Sequence, residues 1–283
     1  MNLLEDTGAS SDQVAIITEP ALGGRCSSLR SARGREWFAN RAQLGAARAL
    51  VRPGDPFIDA GGFEECFPTI AGAFDHGEVW SRPWLVQDGV LTVEGTGYRL
   101  QREITARGAE VVFSYRLEAT AGFRFIWAGH TSVALSNEAV LQAPVGARVR
   151  LWPDHWRLHP NLEQREGPWP APLGVPLDKL VEDGSAVFAM LLDVPELSVD
   201  DGGDRLTFRL EAAGQPIAIA IWRNLGRWPE HDPYRSIAIE PAIGHHFDRD
   251  LAAGGEVGVV PASGSVEWSL VLSTTDAIGT AGD

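Results

Sequence analysis

Three segments of the chain alternate apolar and polar side chains with a period of two, the pattern of a β-strand with one buried and one wet face. In "EVVFSYRLEA" (110–119), Val111, Phe113, Tyr115 and Leu117 fall on one side and Ser114, Arg116 and Glu118 on the other. "DRLTFRLEA" (204–212) sets Leu206, Phe208 and Leu210 against Thr207 and Arg209, and "GSVEWSLVLS" (264–273) repeats the arrangement with Val266, Trp268, Leu270 and Leu272. Between the apolar runs lie "DGV" at 88–90, "GTG" at 95–97, "ARGAE" at 106–110, "DDGGD" at 200–204 and "AAGGE" at 252–256. Glycine and aspartate tolerate the backbone angles of tight turns, so these runs predict hairpins. Helical periodicity is scarce, and "GREWFANRAQLGAARALV" (34–51) runs into "RPGDP", which would end any helix there. The pattern predicts an all-β chain whose large antiparallel sheets stack as a sandwich.

Composition sharpens this picture. The chain has 283 residues, 44% of them hydrophobic, with ten Trp and eleven Phe, enough apolar material for one large core. With no repeat or low-complexity linker in view, a single domain over 1–283 is expected, its core roughly 14–273 and its C-terminal tail frayed. The formal net charge of −14 repels phosphate backbones and anionic lipid, so neither nucleic acid nor a membrane surface is an expected partner. "MNLLEDTGASSDQVAIITEP" has no basic start followed by an apolar run, and no apolar stretch reaches the ~20 residues of a membrane span. A cytoplasmic protein is expected. Cys26 and Cys66 are too few for a disulfide framework and lack metal-ligand spacing, so both are read as packed thiols.

Ionisable chemistry concentrates in three places. The first is "GGFEECFPTIAGAFDHGEVWSRPW" (61–84), with Glu64, Glu65, Asp75, His76, Glu78 and Arg82. The second is "FIWAGHTSVALS" (125–136), where His130 follows Trp127. The third is "IAIEPAIGHHFD" (237–248), where Glu240 closes an apolar run and Pro241 follows it. A carboxylate at the end of such a run gains proton affinity from burial and becomes a useful base. The plainer alternatives are a salt-bridged strand end for Glu240, a strand-end imidazole on a backbone carbonyl for His130, and a surface turn for Asp75-His76. His155 with His159, and His245 and His246 with Asp248, have tolerable metal-ligand spacings, but loop histidines are the simpler reading, and no metal is expected.

"GGRCSSLR" (23–30), "GGFEECFPT" (61–69), "DHGEVWSRPW" (75–84), "WAGHTSVAL" (127–135) and "IAIEPAIG" (237–244) occur in an order that resembles the aldose 1-epimerase, or galactose mutarotase, superfamily. The likeness runs from about residue 20 to 273 and implies a β-supersandwich with a sugar-binding face on one sheet. It also implies roles by motif: His76 in "DHGEVW" holds the sugar, His130 in "WAGHTS" donates a proton, and Glu240 in "AIEP" is the base. No cofactor is implied, and the ligand would be a small carbohydrate, with a neutral aldose favoured. Arg82 and Glu65 are expected at the sugar hydroxyls, Glu65 standing where better-known members carry a sugar-contacting arginine in a Gly-Arg context. Trp80, Trp84, Trp127, Trp222 and Trp228 are candidate stacking platforms, with Trp80, Trp127 and Trp222 preferred. The family's sugar-binding aspartate has no clear match between His130 and Glu240. Two other functions remain open: a carbohydrate-binding or sugar-sensing protein without catalysis, and a glycosidase using Glu65 with Glu240. Homodimer formation is also left open.

Overall fold

The computed structural model describes residues 6–153 and 165–276. Ten strands form one sheet, in the order β1 (Thr7–Ser10), β2 (Val14–Glu19), β3 (Arg25–Ser31), β4 (Gly62–Cys66), β10 (Trp127–Val133), β18 (Arg235–Ile243), β17 (Ile217–Leu225), β14 (Ala186–Leu192), β12 (Arg148–Pro153) and β13 (Arg165–Pro168). Eight form a second, in the order β11 (Val140–Gln142), β15 (Glu196–Asp201), β16 (Asp204–Glu211), β20 (Ser265–Asp276), β8 (Glu110–Ala119), β7 (Tyr98–Arg107), β6 (Val90–Gly95) and β5 (Leu85–Gln87). A ribbon of β9 (Arg124–Phe125) and β19 (Gly258–Val259) stands apart. Every strand pairing within these sheets is antiparallel.

The predicted alternating strands are β8, β16 and β20, which neighbour one another in the eight-stranded sheet. Their apolar faces, with Phe113, Leu117, Phe208 and Leu270 fully buried, join the main core between the sheets. The segment 34–51 gives only a turn of 3-10 helix (Ala42–Leu44) and the short α1 (Gly45–Arg48) before the Pro/Gly run stops it. Strand β20 takes the chain to Asp276, and the rest of the tail expected to fray lies outside the described residues. No helix among the described residues is long and apolar enough to cross a membrane.

The ten-stranded sheet is covered on both faces at its centre. All seven residues of β10 and all five of β4 are buried. Alternate side chains therefore enter different environments. Phe63, Trp127, Ile219, Ile237 and Ile239 enter the main core, whereas Cys66, Ala128, Met190, Ala220 and Ala242 form a second cluster on the opposite face. That second face carries the ionisable residues below.

Candidate active site

On the second face, β10 contributes His130 and β18 contributes Glu240. The pairings Ala128↔Ala242 and Thr131↔Ile239 set the register that brings these two residues across from each other. His130 Nε2 lies 3.9 Å from Glu240 Oε1. Both are buried, at 7% and 2% exposure, and Glu240 Oε2 has no hydrogen-bond partner. Around Glu240 the sheet is paved with small side chains: Ala238 and Ala242 on its own strand, and Ala220 beside it on β17. Ala128 lies across from Ala242.

Loops complete one side of the site. His76, at a positive φ of 60°, stacks on Phe57 with ring centroids 3.9 Å apart. Phe57 meets His130 edge-on at 5.1 Å, and His76 is 5.4 Å from His130. Asp75 fixes this corner: one carboxylate oxygen is 2.7 Å from His76 Nδ1, and the other accepts the Phe57 N–H at 2.9 Å. Behind Phe57 stands Trp80, fully buried, its indole N–H donating to the carbonyls of Asp75 and Gly77.

Asp59 enters from the segment before β4. Its Oδ1 accepts from Ser132 Oγ and from the Gly61 N–H, both at 2.9 Å, and its Oδ2 lies 2.9 Å from Arg41 Nη1. Arg41 also donates to Tyr234 Oη at 2.9 Å. Next to His130 on β4, Glu64 is bound by the Arg48 guanidinium. Burial pushes the Glu64 carboxyl up, to about 7, against the pull of Arg48.

Burial raises the Glu240 carboxyl above its ordinary value, the His130 charge pulling it back and Asp59 pushing it further up. Burial lowers His130, with Glu240 and Asp59 opposing and His76 and Arg41 reinforcing the fall. The two proton affinities are thus driven toward each other, the condition under which a carboxylate and an imidazole exchange protons with a reacting group at small cost.

Of the residues expected at the sugar, His76, His130 and Glu240 come together, and Trp222 lies on the same face of β17, its indole 3.2 Å from Ser236 Oγ. Five expected residues are placed elsewhere. Glu65 is one residue out of phase with Glu64, so it points into the main core, fully buried on Arg102 and on Tyr115 Oη. That also removes the Glu65–Glu240 glycosidase pair. Trp127 enters the same core, against Tyr115 and Trp268. Arg82 is engaged by Glu78, which also accepts from Tyr98 Oη. Trp80 is a buttress of Phe57 rather than an open platform, and Trp84 is packed in the core under Arg102.

Arg41, Phe57, Asp59 and Tyr234 were missed, because they sit on irregular segments without periodicity. The Asp59-Ala-Gly-Gly run was the available signal, an aspartate placed to fold back on its own turn. His245 is tied to the Ile217 carbonyl and Asp193, and His246 accepts the Asp248 N–H. His155 and His159 lie outside the described residues.

No protein-family model matches the sequence, and no curated protein matches it. Solved structures do. A candidate aldose 1-epimerase from Escherichia coli K12 superposes with a TM-score of 0.72 at 13% identity, over 96% of this chain and 99% of that one. This chain has the galactose mutarotase-like fold. A galactose mutarotase-like protein from Lactobacillus casei gives a TM-score of 0.70 at 15% identity, over 96% of this chain and 100% of the other. A galactose mutarotase related enzyme from Lactobacillus acidophilus gives 0.68 at 12%, over 97% and 99%. The galactose mutarotase-like β-sandwich is therefore matched along nearly the whole length of these structures.

Proposed function

We propose that the His130–Glu240 face binds a neutral aldose and interconverts its α and β anomers. The observation that carries this reading is the buried pair 3.9 Å apart with an unpartnered carboxylate oxygen. The two oxygens that exchange protons in anomer exchange, the C1 hydroxyl and the ring oxygen, are bonded to the same carbon. Their proton partners must therefore be near neighbours, as these two are. Glu240 takes the C1 hydroxyl proton while His130 gives one to the ring oxygen, and the C1–O5 bond breaks to leave an open-chain aldehyde. Rotation about C1–C2 presents the other carbonyl face. Reclosure returns both protons, so nothing is consumed.

The surrounding charge supports a neutral sugar. Asp59, Asp75 and Glu240 gather at the site, while Arg41 and Arg48 are already held by Asp59 and Glu64. A phosphate or carboxylate on the ligand would meet repulsion without a free cation among these residues. His76 supplies a hydroxyl contact and Trp222 an aromatic face for the C–H side of the ring.

Saturation-transfer NMR or polarimetry on a panel of neutral aldoses tests the reading. Glu240→Gln should slow exchange by at least ~10²-fold, the usual effect of losing a positioned base, with sugar binding and folding retained. His130→Asn should act likewise. Sugar binding with exchange at the uncatalysed rate would instead make this a binding module.

A further inference from the structure

Asp59 is bonded to Ser132, two residues beyond His130 on β10, yet has no part in the proton transfers above. Its carboxylate is held at three points, by Ser132 Oγ, the Gly61 N–H and Arg41. Ser132 is two residues beyond His130 on β10, so both side chains project from the same face of that strand. The anchors leave the carboxylate little freedom. Gly61 has φ 83°, and a Cβ there would come within 2.0 Å of the Ala39 carbonyl oxygen, so the turn that aims Asp59 requires glycine.

We propose that Asp59 is a positioning residue for His130: clamped by Ser132, Gly61 and Arg41, its fixed negative charge holds the imidazole ready to carry a proton. This role rests on the anomer-exchange reading. The charged and titratable groups around His130 come from several elements: Glu240 on β18, Glu64 bound to Arg48 on β4, Asp75 and His76 from one loop, and Arg41 and Asp59 from the segments before β4. Asp59 and Glu240 favour the imidazolium, whereas burial, His76 and Arg41 oppose it. Arg41 pairs with Oδ2, whereas Ser132 Oγ and the Gly61 N–H hold Oδ1 without it. Loss of Arg41 therefore leaves Asp59 in place and removes a positive charge that trims the stabilisation Asp59 gives.

Opposite signs make the proposal testable. The His130 ring resonance, assigned by its loss in His130→Asn, is titrated by NMR in the wild type, Asp59→Asn and Arg41→Met. Asp59→Asn should move the midpoint to lower pH and Arg41→Met to higher pH, with the alkaline limb of the exchange rate following in each case. A mere structural brace, loosened by either change, would leave the midpoint where it was or move it the same way in both. Either of those results overturns the proposal. If Asp59→Asn does not fold, Ser132→Ala, which removes one anchor of Asp59, takes its place: a downward shift is expected, and a midpoint at or above that of the wild type overturns the proposal. Anomer exchange by the wild type is scored separately, so failure of the reaction and failure of the Asp59 role are told apart.

Discussion

Glu240 is costly to the folded chain. Its carboxyl is 2% exposed, one oxygen lacks a partner, and burial raises its proton affinity above that of a free glutamate. Between the free and the raised value, the folded protein holds more protons than the unfolded one, so stability falls as pH rises through that window. Glu240→Gln removes the penalty. The variant should melt higher than the wild type at pH 7 to 8, and the gap should close near pH 4, as thermal melts at both pH values would show. The sign reverses for His130, whose lowered affinity costs stability as pH drops below the ordinary imidazole range. A residue that weakens the fold while sitting where chemistry is expected is the usual trade between stability and activity.

At the level of single elements, legibility followed burial. Strands β8, β16 and β20 could be read directly because one face points away from the core, and the alternation survives in the sequence. Strands β4, β10, β17 and β18 are covered on both faces, so their sequences lose the period and read as apolar runs with stray polar residues. His76, His130 and Glu240 stand out as ionisable residues beside apolar or aromatic runs, and their roles come from motif resemblance, not from periodicity. Parity was beyond reach: Glu64 and Glu65 are adjacent carboxylates, and which of them faces the site is settled only by the register of β4 against β10. The turn into β4 offers its own test. Gly61→Ala should cost on the order of 1–3 kcal/mol in chemical denaturation, because Ala39 leaves no room for the methyl group. It should also slow anomer exchange by displacing the N–H that holds Asp59.

Across the whole molecule, the two sheets are joined by more than apolar packing. Glu65 on β4 reaches across the core to Arg102 on β7 and Tyr115 on β8, and Arg102 also donates to the Gly24 carbonyl and lies over the Trp84 ring. Glu65→Ala would leave the Arg102 charge buried without its partner, a change that typically costs about 3–5 kcal/mol. Denaturant midpoints should register that loss, while the exchange rate of the remaining folded protein should change little, since Glu65 lies on the far side of the sheet from His130. The alanines beside Glu240 carry a further consequence. Ala220, Ala238 and Ala242 are each no more than 1% exposed, so the two extra carbons of a valine at any of them would meet packed neighbours rather than open space, and a one-base codon change there would shift the seat of the carboxylate and cost stability at once.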